Sequence, residues 1–139
     1  MKPAKQSPIG IVAHRIAVRE FWHDGEIASP CCPIFIEDQD KRCWQLYLDD
    51  EDYEWKLHSD IQEFPKFGVI DGGEDMEWKD VKMSNSNHIL GKTVNLFSSQ
   101  INQTTSSAKL SFKNGWMIVA TYDFKKETAS YEVLEELHI

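Results

Sequence analysis

The chain has 139 residues, of which 23 are acidic and 15 are basic, so its formal net charge is −8. This length is typical of one domain, and a hydrophobic content of 41% is sufficient for a buried core. The negative charge argues against nucleic acids and anionic membranes as partners, because binding to either requires a basic surface.

The first residues and the cysteines both favour a cytoplasmic protein. No apolar segment follows the two lysines at the start, as a secretory signal would require, and no run approaches the roughly 20 apolar residues of a membrane helix. The three cysteines, Cys31, Cys32 and Cys43, match neither a disulfide framework nor the spacing of a zinc site. We expect reduced, buried thiols, no metal and no cofactor.

The first half of the chain reads as strands. β-branched residues predict strands over residues 9–22 and 34–36, on either side of a proline-containing loop at 28–33. The runs 44–48 and 53–57 alternate between apolar and polar residues around a short acidic turn. This pattern predicts a hairpin.

Residues 60–80 are punctuated by proline and glycine and look irregular. Within them, acids in the first turn and two apolar residues on one side predict a short helix over 74–81. A strand is predicted over 89–97, followed by a polar connection over 99–107.

The clearest hairpin follows, because Asn114-Gly115 lies between the alternating runs 110–112 and 116–122. Asn-Gly favours the tight turns of two-residue hairpins, since both residues tolerate positive φ. The C-terminal segment 127–137 fits a helix and a strand equally well.

Two segments resemble each other. Residues 11–18 and 89–96 share an order of apolar, small and polar residues, and each precedes a hairpin. This similarity predicts pseudo-repeats at 9–58 and 88–123, joined by an acidic loop and short-helix segment at 59–87. The alternative is chance similarity between strands.

The predicted fold class is therefore α+β. We expect mainly antiparallel β-sheet, built from meanders and hairpins, with one or two short helices. All of it belongs to a single domain, 1–139.

The negative charge is concentrated in one third of the chain. Residues 37–80 contain fifteen acids and five bases, whereas the remainder has a net charge of +2. Acids interleaved with aromatic residues are typical of a surface that binds a basic protein. The candidate contact residues are Tyr47, Asp49, Asp50, Glu51, Asp52, Glu54, Glu63, Phe67, Asp71, Glu74, Asp75, Glu77 and Trp78.

The alternative interpretation is that the aromatic residues are core and the acids are merely their solvated neighbours. Alternation assigns Trp44, Tyr53 and Trp55 to the core. Tyr47 and Glu54, on the opposite face, and the loop at 63–78 are then the better contact candidates.

Recognisable catalytic motifs are absent from the sequence. Phosphate-binding loops, dinucleotide fingerprints and nucleophile elbows are missing, and the five histidines are scattered. Two Glu-x-x-His matches, at 20–23 and 135–138, lack the long helices of a di-metal bundle. We therefore predict no catalytic residues. A small-molecule-binding domain or a motif-free hydrolase with a Trp- and His-lined pocket is the alternative, and a structural subunit is a third.

The segment from Ile89 to Leu134 resembles small bacterial immunity proteins of polymorphic toxin and contact-dependent growth inhibition systems. It carries a strand, a polar connection, the run Leu110-x-Phe112-x-Asn114-Gly115-Trp116-x-Ile118, then Glu127 and Tyr131-Glu132. The resemblance implies a non-enzymatic cytosolic inhibitor that binds and neutralises one toxin domain, often a basic nuclease. It transfers no site residues.

Overall fold

The computed structural model describes residues 7–29, 33–60, 63–72 and 76–136, which form two antiparallel sheets. The first sheet contains β1 (Arg15–His23), β2 (Glu26–Ser29), β3 (Ile34–Glu37), β4 (Cys43–Leu48), β5 (Trp55–Asp60), β6 (Gly68–Gly72) and β7 (Met76–Lys82). The second contains β8 (Val94–Ile101), β9 (Thr105–Phe112), β10 (Trp116–Asp123) and β11 (Thr128–Glu135).

The strand order confirms the prediction of a mainly antiparallel sheet. The first sheet runs β5-β4-β3-β1-β7-β6, with β2 paired to β1, and the second is a plain meander, β11-β10-β9-β8. One 3-10 turn, Ser86–His88, is the only helical element in the described part of the chain, so this part has less helix than predicted. This part also contains no helix long and apolar enough to cross a membrane.

The helix predicted over 74–81 is wrong. Met76–Lys82 is strand β7, which pairs with β1 on one side and with β6 on the other. The side chains alternate between faces, so Trp78 contacts Phe21 on one face, and Val81 packs against the core on the other. The pairing of both edges outweighs the weak helical pattern.

The serine- and threonine-rich connection predicted over 99–107 is mostly strand. β8 continues to Ile101 and β9 begins at Thr105. The turn between them is held by Asn102, whose Oδ1 accepts hydrogen bonds from the backbone N–H groups of Thr104 and Thr105, both at 2.9 Å. The strand predicted over 89–97 starts later, at Val94, because the turn around Gly91 (φ 78°) precedes it.

The other predicted strands are present. The hairpin around Asn114-Gly115 is β9–β10, and the runs 44–48 and 53–57 give β4–β5. The ambiguous C-terminal segment is strand β11 up to Glu135. The first strand is shorter than predicted, since regular pairing begins at Arg15.

The core lies between the two sheets. Inward-facing side chains of both sheets form one hydrophobic cluster, whose largest members include Trp44, Trp55, Leu110, Phe112 and Ile118, each at most 2% exposed. The indole Nε1 of Trp55 donates a hydrogen bond to the Ser106 carbonyl, 2.9 Å away, and so joins β5 to β9. Burial on this scale is the main stabilising contribution to the sandwich.

The two segments that resemble each other in sequence lie side by side. Val12 pairs with Thr93 in an isolated antiparallel bridge, and Ala13 N–H donates to the Lys92 carbonyl at 3.1 Å. These contacts connect the first sheet to the second. The duplication itself stays a prediction.

Candidate protein-binding surface

The turn of the β4–β5 hairpin carries five of the predicted contact residues, and we call it the acidic tip: Asp49, Asp50, Glu51, Asp52 and Glu54. Asp49 Oδ1 accepts a hydrogen bond from Glu51 N–H at 2.8 Å, and Asp52 Oδ1 accepts one from Glu54 N–H at 3.0 Å. The Tyr53 N–H donates to the Asp49 carbonyl at 2.9 Å. The turn is therefore ordered by its own carboxylates.

Lys56 divides these acids into two groups. Its Nζ lies 2.7 Å from Asp49 and 3.0 Å from Asp52, and the hydrogen bonds to it lower the Asp49 pKa. The Asp52 pKa is lowered first by the backbone N–H of Glu54 and then by Lys56, whose own pKa is raised. Among the described residues, no ion pair involves the other three carboxylates of the tip, those of Asp50, Glu51 and Glu54.

An aromatic cluster lies beside the acidic tip, formed by Tyr53, Tyr122 and Phe124. Their ring centroids are 5.6 to 5.8 Å apart. Burial raises the pKa of Tyr122. Tyr53, in contrast, is 42% exposed. The assignment of Tyr53 to the core is therefore wrong. Its left-handed backbone (φ 58°) ends the alternation that places Trp55 inside.

The second sheet holds this cluster in place. Ser106 Oγ donates a hydrogen bond of 2.5 Å to the Tyr53 carbonyl, directly beside the bond from Trp55 to Ser106. In the neighbouring β10–β11 turn, Asp123 Oδ1 accepts the N–H groups of Lys125 and Lys126, which lower the Asp123 pKa. The tip and the aromatic rings thus belong to a rigid, pre-organised surface.

The remaining predicted contact residues lie elsewhere. Tyr47 and Trp78 face away from the second sheet, on what we call the outer face of the first sheet, with Arg15, Arg19 and Phe35. Tyr47 Oη is 3.3 Å from His58 Nδ1, and the Trp78 ring centroid is 4.7 Å from that of Phe21. The predicted surface is therefore split, and its aromatic members at 47 and 78 are not part of the acidic tip.

The loop at 63–67 covers part of the outer face. Phe64 packs on Ala17, Phe35 and Cys43. Phe67 contacts Phe64 and is itself 55% exposed. Glu63 is exposed in the same loop.

Two further acids of the predicted set, Asp71 and Glu77, lie on β6 and β7 and not in the β4–β5 turn. Glu77 forms an ion pair with Lys79 at 3.3 Å, and Asp71 lies in β6 at the register position opposite Trp78. Glu74 and Asp75 lie outside the described residues.

Two arginines of β1, missed in the sequence, neutralise carboxylates on the outer face. Arg15 forms two hydrogen bonds with Glu37, at 2.9 and 2.7 Å, and Arg19 forms two with Asp80, at 2.9 and 3.1 Å. The hydrogen bonds from Arg15 lower the Glu37 pKa. The sequence signal for these arginines is their spacing: Arg15, Ala17 and Arg19 are two residues apart, so they lie on one face of β1.

A shallow cavity of about 430 Å³ is formed by Ser84, Asn85 and residues 131–134. It contains neither Trp nor His, so it does not match the pocket predicted for the small-molecule alternative. His88 and Trp116 stack with centroids 3.7 Å apart, and this stack holds the β9–β10 turn against the 3-10 turn. Within the described ranges, no three His, Cys, Asp or Glu side chains converge as metal ligands would.

Comparison with protein-family models, with curated proteins and with solved structures finds no match to the chain. The geometry and charge of the surface are therefore the basis for a functional conclusion.

Proposed function

We propose that the protein is a non-enzymatic, immunity-type inhibitor that binds a basic, nuclease-like toxin domain in the cytoplasm through the acidic tip and the aromatic cluster. The observation that carries the proposal is the juxtaposition of an exposed tyrosine on a hydrogen-bonded turn with three carboxylates that form no ion pair with any described residue. Exposed acids accelerate association with a basic partner, and a rigid aromatic ring supplies an anchor in the interface.

The backbone of Tyr53 supports this proposal. A bulky residue with φ near 58° is strained, and an asparagine or glycine would adopt the same turn at lower cost. Such a backbone costs about 1–3 kcal/mol, and of the five described non-glycine residues that adopt it, Tyr53 is the only aromatic one. An aromatic residue at such a position is readily explained if its ring is needed for contact with a partner.

The charge pattern of the tip also supports it. Asp49 and Asp52 are committed to Lys56 and shape the turn, whereas Asp50, Glu51 and Glu54 project without an intramolecular cation among the described residues. Carboxylates of this second kind are available to Arg and Lys of another protein. The resemblance of residues 89–134 to immunity proteins suggests a toxin domain as that protein.

The proposal expects the adjacent gene to encode a toxin, and the test measures association with the basic C-terminal domain of that toxin. A variant with Asp50→Lys, Glu51→Lys and Glu54→Lys should associate at least about tenfold more slowly at low salt, because electrostatic steering is lost. Stopped-flow fluorescence or biolayer interferometry reports the rate constant.

The matched control is Glu132→Lys, Glu135→Lys and Glu136→Lys, which changes net charge by the same amount at exposed positions. Glu132 and Glu135 pair with Val119 and Trp116, four and seven residues along β10 from Asp123, so they lie about 13 and 23 Å from the β10–β11 turn. This control should associate at nearly the wild-type rate. Equal slowing of both variants, or the absence of a complex with that toxin domain, would contradict the proposal.

A further inference from the structure

β8 is an edge strand with an open hydrogen-bonding edge. It is the last strand of the second sheet and pairs only with β9. At its start, Val94 exchanges backbone hydrogen bonds with Gly10 and Ile11, at 2.9 and 2.8 Å. Beyond Val94, no other described segment bonds to the outer edge of the strand, so alternate N–H and C=O groups of residues 96–101 point outward.

β8 also lacks the charges that normally protect such an edge. Its sequence, Val-Asn-Leu-Phe-Ser-Ser-Gln-Ile, contains no charged residue and no proline. The other sheet-terminal strands in the described structure each carry charge: β5 has Lys56 and Asp60, β6 has Asp71, and β11 has Glu132 and Glu135. Natural proteins use such charges to prevent strands of other chains from pairing.

The one irregularity of β8 is at its start. The register shifts between Val94 and Leu96, which leaves residues 96–101 regularly paired with β9. Two large apolar side chains on this regular stretch are exposed, Leu96 at 51% and Ile101 at 43%. By alternation they lie on opposite faces of the sheet, so a strand added at this edge would cover apolar surface on both faces.

We propose that β8 is a homodimerisation edge, where two copies of the chain pair their β8 strands antiparallel to form one continuous eight-stranded sheet. The argument for a second copy is electrostatic. Repulsion between copies of this chain comes mainly from residues 37–80, which carry a net charge of −10, whereas β8 lies in the other sheet and two β8 strands meet without any charge of their own. Antiparallel pairing of identical strands is self-complementary and closes after two copies, with the two-fold axis near Ser98 and Ser99.

The test is sedimentation equilibrium or native mass spectrometry over a concentration series of the isolated protein. The wild type should be a dimer that dissociates on dilution. The variant Ser98→Lys/Gln100→Lys places four lysines around the two-fold axis, on side chains that are exposed in the single chain. Like charges on paired strands oppose each other, so the dimer dissociation constant should rise at least about tenfold.

The matched control is Thr128→Lys/Ser130→Lys, the same change at two exposed positions of β11, the opposite edge strand of this sheet. It should dimerise like the wild type. A wild type that is monomeric throughout the series overturns the proposal. A dimer that survives the β8 substitutions, or that both variants weaken equally, overturns it as well.

Hydrogen exchange of the unmodified protein provides a second measurement that does not depend on how the variants fold. Amides of residues 96–101 should exchange more slowly as the protein concentration rises. Exchange that is independent of concentration at these positions contradicts pairing through β8.

Discussion

At the scale of single residues, many of the acids that dominate the sequence are structural. Asp38 is 1% exposed and accepts hydrogen bonds from the N–H groups of Asp40 and Arg42 and from Trp44 Nε1, so it holds the β3–β4 turn. Glu37 and Asp80 are held by arginines of β1, far away in sequence. A charge count along the chain cannot separate such buried carboxylates from those at the acidic tip.

The Arg19–Asp80 pair is expected to be costly to break. Asp80 is 0% exposed, so Arg19→Ala leaves a buried carboxylate without its cation, and the free energy of unfolding should fall by about 3–5 kcal/mol. Urea unfolding of Arg19→Ala and of Arg19→Met/Asp80→Leu measures this. The double variant should be more stable than the single one, because it removes both charges. If the double variant is less stable than Arg19→Ala, the buried carboxylate is not the cause of the loss, and this account of the pair is contradicted.

The Arg15–Glu37 pair should make stability depend on pH. Arg15 holds the Glu37 pKa below its ordinary value of 4.5, so the pair stabilises the fold above that value and is lost as pH falls through the folded-state pKa. The free energy of unfolding of the wild type should exceed that of Glu37→Gln by about 1 kcal/mol at neutral pH. This difference should vanish once the pH is below the folded-state pKa of Glu37, where the carboxyl is protonated. A difference that persists there would refute the assignment.

At the scale of elements, the sequence predicts strands well where alternation is combined with large apolar residues. Trp44, Leu46 and Trp55 alternate with polar neighbours, and β4–β5 forms as predicted. The prediction fails at Trp78 and Val81, whose spacing also fits one face of a helix, because only the distant strand β1 decides between the two. The adjoining ends of β8 and β9 resemble a connection in the sequence, because nine of the ten residues 98–107 are Ser, Thr, Asn or Gln.

The aromatic cluster is likewise not predictable from the sequence, because it also depends on contacts between distant segments. Tyr122 and Phe124 come from a different hairpin, and only the packing of the two sheets brings them to Tyr53. The left-handed backbone of Tyr53 follows from the closure of a turn by four acidic residues, which alternation does not reveal. The acids of the tip were predicted, whereas their aromatic neighbours were not.

Tyr53→Asn tests the role of this ring. Asparagine adopts the left-handed backbone readily, so the free energy of unfolding should change by less than about 1 kcal/mol. Complex formation with the basic toxin domain should weaken at least about tenfold, because the anchor is removed. Tyr47→Thr removes an aromatic ring from the outer face and keeps a strand-forming residue, so binding should be unchanged. If Tyr47→Thr weakens binding and Tyr53→Asn does not, the binding surface is the outer face of the first sheet and not the acidic tip.

At the scale of the whole molecule, the fold draws five acids of the segment 37–80 into ion pairs. Glu37, Asp49, Asp52, Glu77 and Asp80 each have a cation partner, and two of those cations come from β1, outside the segment. The carboxylates that remain for a partner at the tip are those of Asp50, Glu51 and Glu54. The surface argued to bind a basic protein is thus one end of the sandwich, beside the aromatic cluster.

The most direct measurement of this claim is the association rate constant with the basic toxin domain as a function of ionic strength. Salt screens steering between exposed charges, so wild-type association should slow steeply as salt rises. The triple lysine variant of the tip should associate slowly at low salt, and its rate constant should depend little on salt. The control with lysine at 132, 135 and 136 should show the same salt dependence as the wild type. A wild-type rate that is independent of salt, or a tip variant that retains the wild-type slope, would contradict the account.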